Sequence, residues 1–270
     1  MWDTVTIKDA LWYQWRLNGA EAYLRRDGDT WRIAFKTIPF MDMYDDFGGV
    51  GEIAPPASLP TIMAAGKGEQ VSLHPYVFKK PYFLTLQDKV RLLPDMEVRF
   101  NVALPPVLQF ELAGDCLTEG MPFLLAETWD GDDTMSGVLC AVIPQLIRPF
   151  YYGALESLPP GSSLTAPDAP DRFKAGSLIH GEVILRNRSK GALDLDHLVI
   201  YTESIDLFEH EGRLICDVVI VDALGGGDLR MNTPSVVPKG YRKISAGIKD
   251  GVGDRLIRHG AGFLRNITTL

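Results

Sequence analysis

The chain has 270 residues, 46% of them hydrophobic and 23% charged, and a formal net charge of −8. That length can bury a sizeable core as one large domain or two smaller ones. The acidic balance excludes a general nucleic-acid binder, and no run approaches the roughly 20 apolar residues that span a bilayer.

The opening reads as a meander. Leu11, Tyr13, Trp15 and Leu17 alternate with Trp12, Gln14 and Arg16 ahead of Asn18-Gly19. After Asp27-Gly28, Trp31, Ile33 and Phe35 alternate with Arg32, Ala34 and Lys36. Period-two alternation marks strands buried on one face. Asn-Gly and Asp-Gly suit two-residue hairpins whose central positions need positive φ. Three antiparallel strands are expected. The start, Met1-Trp2-Asp3-Thr4, lacks the basic and apolar run of a secretory signal, so a cytoplasmic setting is expected.

Residues 39–69 lose all periodicity and read as a long connection, a cover over a sheet edge. Within them Gly48-Gly49-Val50-Gly51 has the consecutive amides of an anion nest. It lacks both the Lys-Ser/Thr pair and the strand-to-helix frame of a phosphate loop, so it reads as flexible chain. Strands resume at 71–73, 82–86, 90–93, 96–102, 107–112, 121–128 and 138–143. The clearest is 96–102, where Met96, Val98, Phe100 and Val102 point one way and Glu97, Arg99 and Asn101 the other. Prolines 94, 105, 106, 122, 144 and 149 punctuate these runs, at ends where a missing N–H costs a ladder least.

Residues 157–171, rich in Pro, Ser, Ala and Asp, form the candidate internal boundary. Strands 178–186, 193–201 and 214–221 follow, with turns at Lys190-Gly191 and 210–212. The last of these strands is apolar on both faces, as expected of one covered on both sides. The ending shifts to a period near 3.6: Ile244, Ile248, Val252, Leu256, Phe263 and Ile267 form one stripe of an amphipathic helix. Residues 239–270 carry seven Lys/Arg against Asp250 and Asp254, a balance of +5 beside −13 on the rest of the chain. The partner expected for this helix is a protein surface, in its own subunit or a second copy forming a homo-oligomer. A membrane surface is the weaker alternative, because the segment is rich in glycine and holds two aspartates.

Leu59-Pro60, Asn101-Val-Ala-Leu-Pro105, the Tyr152-Gly153 turn with Glu156, and Arg186-Asn187-Arg188-Ser189 leading into Leu198-Val-Ile-Tyr201 carry a family likeness. Over roughly residues 52–222 the chain resembles the uncharacterised prokaryotic family known as domain of unknown function four-three-two. Leu158-Pro159-Pro160-Gly161-Ser162 stands where that pattern has a Gly and an aromatic-basic strand. The resemblance implies a β-rich fold and no particular chemistry.

The candidate ligand-binding residues are Glu127, Trp129, Asp130, Asp132 and Asp133, four carboxylates around one indole. Oxygen-rich loops can hold Ca²⁺, but with Asp130 in the first position the required Gly is Met135 and the closing Glu is Ala141. An acidic hairpin tip is the plain reading; a sugar-contacting loop is the functional one. The histidines 74, 180, 197, 210 and 259 show no metal-ligand spacing. Strand alternation would turn His197 away from Asp194 and Asp196. Cys116, Cys140 and Cys216 are widely spaced and odd in number, which suits reduced structural thiols. No cofactor motif, nucleophile elbow or catalytic set is present, so no cofactor is expected.

The expected architecture is mainly β: an antiparallel, sandwich-like protein with an N-terminal β-meander and C-terminal amphipathic helix. The meander and its connection take residues 1–66, the sandwich-like domain 67–235 and the helix 236–270. The function expected is a non-enzymatic binding or assembly module. The alternative is a carbohydrate-active or other hydrolytic enzyme using loop carboxylates.

Overall fold

The computed structural model describes residues 2, 4–17, 19–38, 50–113, 123–129, 141–155, 178–225, 228–234 and 236–247. The first strands are β1 (Val5–Thr6), β2 (Trp12–Arg16), β3 (Ala20–Asp27), β4 (Thr30–Thr37), β5 (Val50–Gly51) and β6 (Ile62–Ala65). Then come β7 (Gln70–Tyr76), β8 (Tyr82–Leu92), β9 (Met96–Leu104), β10 (Val107–Leu112), β11 (Phe123–Trp129), β12 (Ala141–Ile147) and β13 (Pro149–Ala154). The series ends with β14 (Ile179–Asn187), β15 (Leu193–Ile200), β16 (Leu207–His210), β17 (Arg213–Cys216), β18 (Val219–Gly225), β19 (Asp228–Asn232) and β20 (Arg242–Ser245). Among the described residues there is no helix, hence none long and apolar enough to cross a membrane.

The mainly β expectation holds. The strands form four sheets, ordered β1-β7-β10-β11, β5-β2-β3-β4-β6, β12-β8-β15, and a larger one of β13-β9-β14-β17-β16-β20 with β18 and β19. Most neighbours are antiparallel; β12 with β8, and β14 with both β17 and β18, run parallel.

The meander forms as its alternation predicts, with Trp15 opposite Ala22 and Tyr23 opposite Ala34. Its second turn differs in one detail. Asp27 pairs with Thr30, so Gly28 and Asp29 are the central residues, and only Gly28 has positive φ, at 65°. Glycine in the first central position marks a II′ turn rather than the I′ turn an Asp-Gly pair suggests. Asn18 lies outside the described residues; Leu17 N donates to Ala20 O at 2.9 Å to close the first hairpin. The connection expected over 39–69 holds two strands, β5 on the β2 edge and β6 on the β4 edge. Both are short, and Ile62 and Met63 are exposed, so no burial period was available to read.

One connected core runs from Trp2 to Met231. Phe110 of β10, fully buried, meets Trp15 edge-on at 5.3 Å between centroids and Phe35 at 6.3 Å. Such an aromatic contact adds about 0.5–1.5 kcal/mol beyond the area it buries. It ties the meander to the sheet that carries β7, β10 and β11.

The β9 alternation is realised, with Val98, Phe100 and Val102 all buried on the core side. The opposite side is not simply solvated. Glu97 has no exposed surface and stands opposite Arg186 of β14, which stands opposite Asp222 of β18, itself opposite Arg230 of β19. Charge therefore alternates in sign across four neighbouring strands, the favourable arrangement for directly opposed pairs. At the near edge, Tyr152-Gly153 lies inside β13 rather than in a turn. Tyr151 sits over Arg99, 5.1 Å from ring to guanidinium, and its hydroxyl occupies the space a Gly153 side chain would need.

Three further expectations are corrected. The apolar run 214–221 is two strands, β17 and β18, separated by Asp217-Val218. Asp217 is buried and its carboxylate accepts from Asp206 N at 2.9 Å, so the extra residue is held by a hydrogen bond that no hydropathy pattern records. His197 does contact Asp196, its Nδ1 lying within hydrogen-bond distance of the adjacent carboxylate, and its ring also stacks on Phe83 at 4.8 Å. Finally, the expected 236–270 helix is replaced over Arg242–Ser245 by β20, which pairs with β16. Ile244, counted in the helical stripe, packs against the core from this strand. Residues 248–270 lie outside the described residues, as do the 157–171 boundary, Cys116 and Cys140.

Candidate functional site

The sheet β1-β7-β10-β11 has two unlike faces. Val71 and Leu73 on β7, Leu108, Phe110 and Leu112 on β10, and Leu125 on β11 are buried against the core. The alternate positions therefore project from the other side: Ser72, His74 and Tyr76 on β7, Gln109 and Glu111 on β10, and Leu124 and Glu127 on β11. Register aligns them in rows. His74 stands opposite Gln109, which stands opposite Glu127; Ser72 stands opposite Glu111, which stands opposite Leu124. Between these rows the β10–β11 register slips at Phe110/Glu111, and Leu125 is the extra residue, turned into the core.

The polar groups on this face are joined in two clusters. The Tyr76 hydroxyl donates to Glu111 Oε1 at 3.3 Å, and His74 Nε2 lies 3.4 Å from Glu111 Oε2. Burial first, and then the charge of Glu111, push the Tyr76 phenol up to about 12, so it remains a hydrogen-bond donor throughout the physiological range. In the second cluster, Gln109 Nε2 donates to Glu127 Oε2 at 2.6 Å, and Lys79 Nζ approaches the same oxygen at 3.9 Å. Glu127 is diagonal to Glu111 across the β10–β11 pair. Thr4 and Ser72 share a hydroxyl–hydroxyl bond of 2.7 Å at the border of the face.

Of the residues singled out from sequence, Glu127 belongs to this face. Trp129 closes β11 with its Cα opposite Val107, which is in turn opposite Tyr76. Asp130, Asp132 and Asp133 lie outside the described residues. Sequence reasoning missed His74, Tyr76, Gln109 and Glu111. The available signal was their polar character at the non-core positions of two strands; what joins them is pairing across some 35 residues of chain. Glu111 is the most telling, since its side chain is only 10% exposed on a face that is otherwise half-open. Among the described residues no three His, Cys, Asp or Glu side chains converge to hold a metal ion.

Chemically the face offers donors beside two carboxylate acceptors: Tyr76, His74 and Gln109 on paired strands, and Lys79 from the β7–β8 connection. No family model, no curated protein and no solved structure matches this chain.

Proposed function

We propose that the protein is a non-enzymatic, β-rich binding module, and that its recognition surface is the Tyr76–Glu111–Gln109–Glu127 face. The ligand class is a hydroxyl-rich one, a carbohydrate. The observation that carries this reading is the set of donors seated beside two carboxylates, Tyr76 and His74 on Glu111 and Gln109 on Glu127, with the Tyr76 ring among them. Sugars are bound by such bidentate polar contacts next to a ring face. The contact of Phe110 with Trp15 and Phe35 supports a sandwich-like pairing of the sheets behind that surface. The cytoplasmic setting and the β-rich family likeness belong to the same proposal.

The test is a glycan-array screen followed by calorimetry on the best ligand. Tyr76→Ala and Glu127→Gln are expected to weaken binding at least ten-fold while leaving the circular dichroism spectrum unchanged. Retention of no glycan, or affinities unchanged in both variants, overturns the proposal.

The diagonal Glu111–Glu127 pair favours one rival, a glycoside hydrolase acting through two carboxylates. Release of reducing sugar by the wild-type protein, abolished in Glu127→Gln, would replace the binding module with that enzyme.

A further inference from the structure

A cavity of about 730 Å³ opens between the β14–β15 turn and the facing ends of β18 and β19. One wall, over residues 188–193, carries Arg188, Lys190 and the backbone around Gly191, with Leu193 at its end; the facing wall is apolar, with Leu224 and Leu229. We infer that this cavity binds a small amphiphilic anion, a carboxylate or phosphate group carried on a short apolar chain.

The cationic wall is pre-organised. Asn187 has no exposed surface, and its amide nitrogen donates to Leu92 O and Gly191 O, both at 2.8 Å. Its amide oxygen accepts from Ser189 N at 3.0 Å and Ser189 Oγ at 2.7 Å. Arg188 N donates to Ala223 O at 2.9 Å, tying this turn to the opposite wall. All four hydrogen-bonding positions of the Asn187 side chain are thus spent on holding one loop shape. A loop fixed in this way loses little freedom when a ligand arrives.

The side chains above that loop remain available. Arg188 binds Asp222 through Nε at 3.2 Å, which leaves its terminal nitrogens for a second acceptor, and Lys190 is exposed. A Cβ at Gly191 would meet nothing within 4 Å, so the loop faces open space there. Across the gap Leu224 is 44% exposed at the rim, apolar surface that the protein itself leaves uncovered. A bare anion would use only the first wall and an alcohol only the second; an amphiphilic anion uses both. The cavity is also of the size that takes small organic ligands.

The experiment titrates the full chain with octanoate and octyl phosphate, and in separate arms with octanol and inorganic phosphate, followed by calorimetry and by amide chemical shifts. Saturable binding of octanoate or octyl phosphate is expected, with shifts centred on residues 188–193, 223–225 and 229. Whichever of the two binds tighter identifies the head group. Octanol and inorganic phosphate should each bind at least ten-fold more weakly, and Arg188→Gln with Lys190→Gln should cost at least ten-fold. Absence of saturable binding, shifts mapping elsewhere, octanol or phosphate binding as tightly as the amphiphile, or an unchanged affinity in the double variant would each overturn the inference. Glycan binding plays no part in these readouts, so failure here leaves the proposed recognition face untouched.

Discussion

Glu97 and Arg186 face each other across β9 and β14, with Arg186 Nε 3.3 Å from Glu97 Oε2 and neither side chain more than 9% exposed. The other carboxylate oxygen accepts from Arg99 Nε at 2.9 Å and Nη2 at 2.7 Å. One buried carboxylate therefore offsets two guanidinium groups; Glu182 lies 3.4 Å from Arg99, and Asp222 stands opposite Arg186 on the neighbouring β18. Taking out the shared anion leaves the buried Arg186 without its ion-pair partner, a loss of about 3–5 kcal/mol. Glu97→Ala should show this as a lowered urea midpoint. Glu97→Met combined with Arg186→Met should recover much of it, because the desolvation penalty of the pair disappears with the pair. A wild-type midpoint in Glu97→Ala would show that the network contributes nothing net.

Gly181 on β14 owes its identity to a neighbour in sequence-distant β17. A Cβ there would stand 2.5 Å from Cys216 Sγ. Cys216 is fully enclosed, and burial, followed by the charge of Asp217, pushes its thiol up to about 12, so it acts as a protonated space-filler. Gly181→Ala is expected to destabilise by about 1–3 kcal/mol, the scale of overpacking. Cys216→Ala removes the obstructing sulfur, so the double variant should be more stable than the sum of the single losses. Melting temperatures of the four proteins decide it; strict additivity would mean that the two residues do not compete for one space.

His180 makes stability depend on pH in a defined window. Burial, and secondarily the nearby Arg213 charge, lower its imidazole from 6.5 to about 4 in the folded chain. Between those values the unfolded chain binds a proton that the folded chain refuses. Stability is thus fully present above about pH 6.5, declines as pH falls, and levels off below about pH 4. Two to three pH units correspond to a loss of about 3 kcal/mol at the most. Urea midpoints measured from pH 7.5 to pH 4 should fall less steeply in His180→Gln than in the wild type. Parallel curves would mean that His180 protonates equally in both states.

What was legible in the sequence was local. The alternation in β9 and in the meander could be read because one face of each strand meets the core, and hydropathy records that directly. The strand break at Asp217 was not read, because the aspartate stands alone in an apolar run and the interruption is set by a hydrogen bond from Asp206 N to its carboxylate. The same limit applied to the candidate site. Glu127 drew notice through its acidic neighbours, whereas Glu111 was passed over as one polar residue in a strand, its partners His74 and Tyr76 being brought up by β7–β10 pairing. The Glu97–Arg186 contact joins residues 89 positions apart, and nothing in either local segment announces it. The helical period read at the C-terminus failed at Ile244 for a related reason: an edge strand with a single inward residue leaves no period of its own.

That edge strand gives the last prediction. Asp206, with no exposed surface, holds Lys243 Nζ on Oδ2 and Gly247 N on Oδ1, each at 2.8 Å. Beside it Gly247 lies against the Ser204–Ile205 backbone, where a Cβ would be 2.4 Å from Ser204 C. Arg242 adds a contact of 3.2 Å to Glu209. The first residues of the basic tail are thus seated on acidic groups of their own subunit by two charge contacts, one amide contact and one steric fit. Asp206→Asn keeps an acceptor for Gly247 but removes the charge that holds Lys243. Gly247→Ala keeps the charge and destroys the fit, because backbone cannot yield as a flexible side chain would. Amide hydrogen exchange at Lys243 and Gly247 should accelerate at least ten-fold in Gly247→Ala and by a smaller factor in Asp206→Asn. Amides of β9 and β14 should stay as protected as in the wild type. Added salt should narrow the gap between wild type and Asp206→Asn only in part, since the Asp206 carboxylate is buried and poorly screened. If exchange at both positions matched the wild type in both variants, the tail would be held by something other than Asp206, and its attachment to this subunit would have to be sought beyond residue 247.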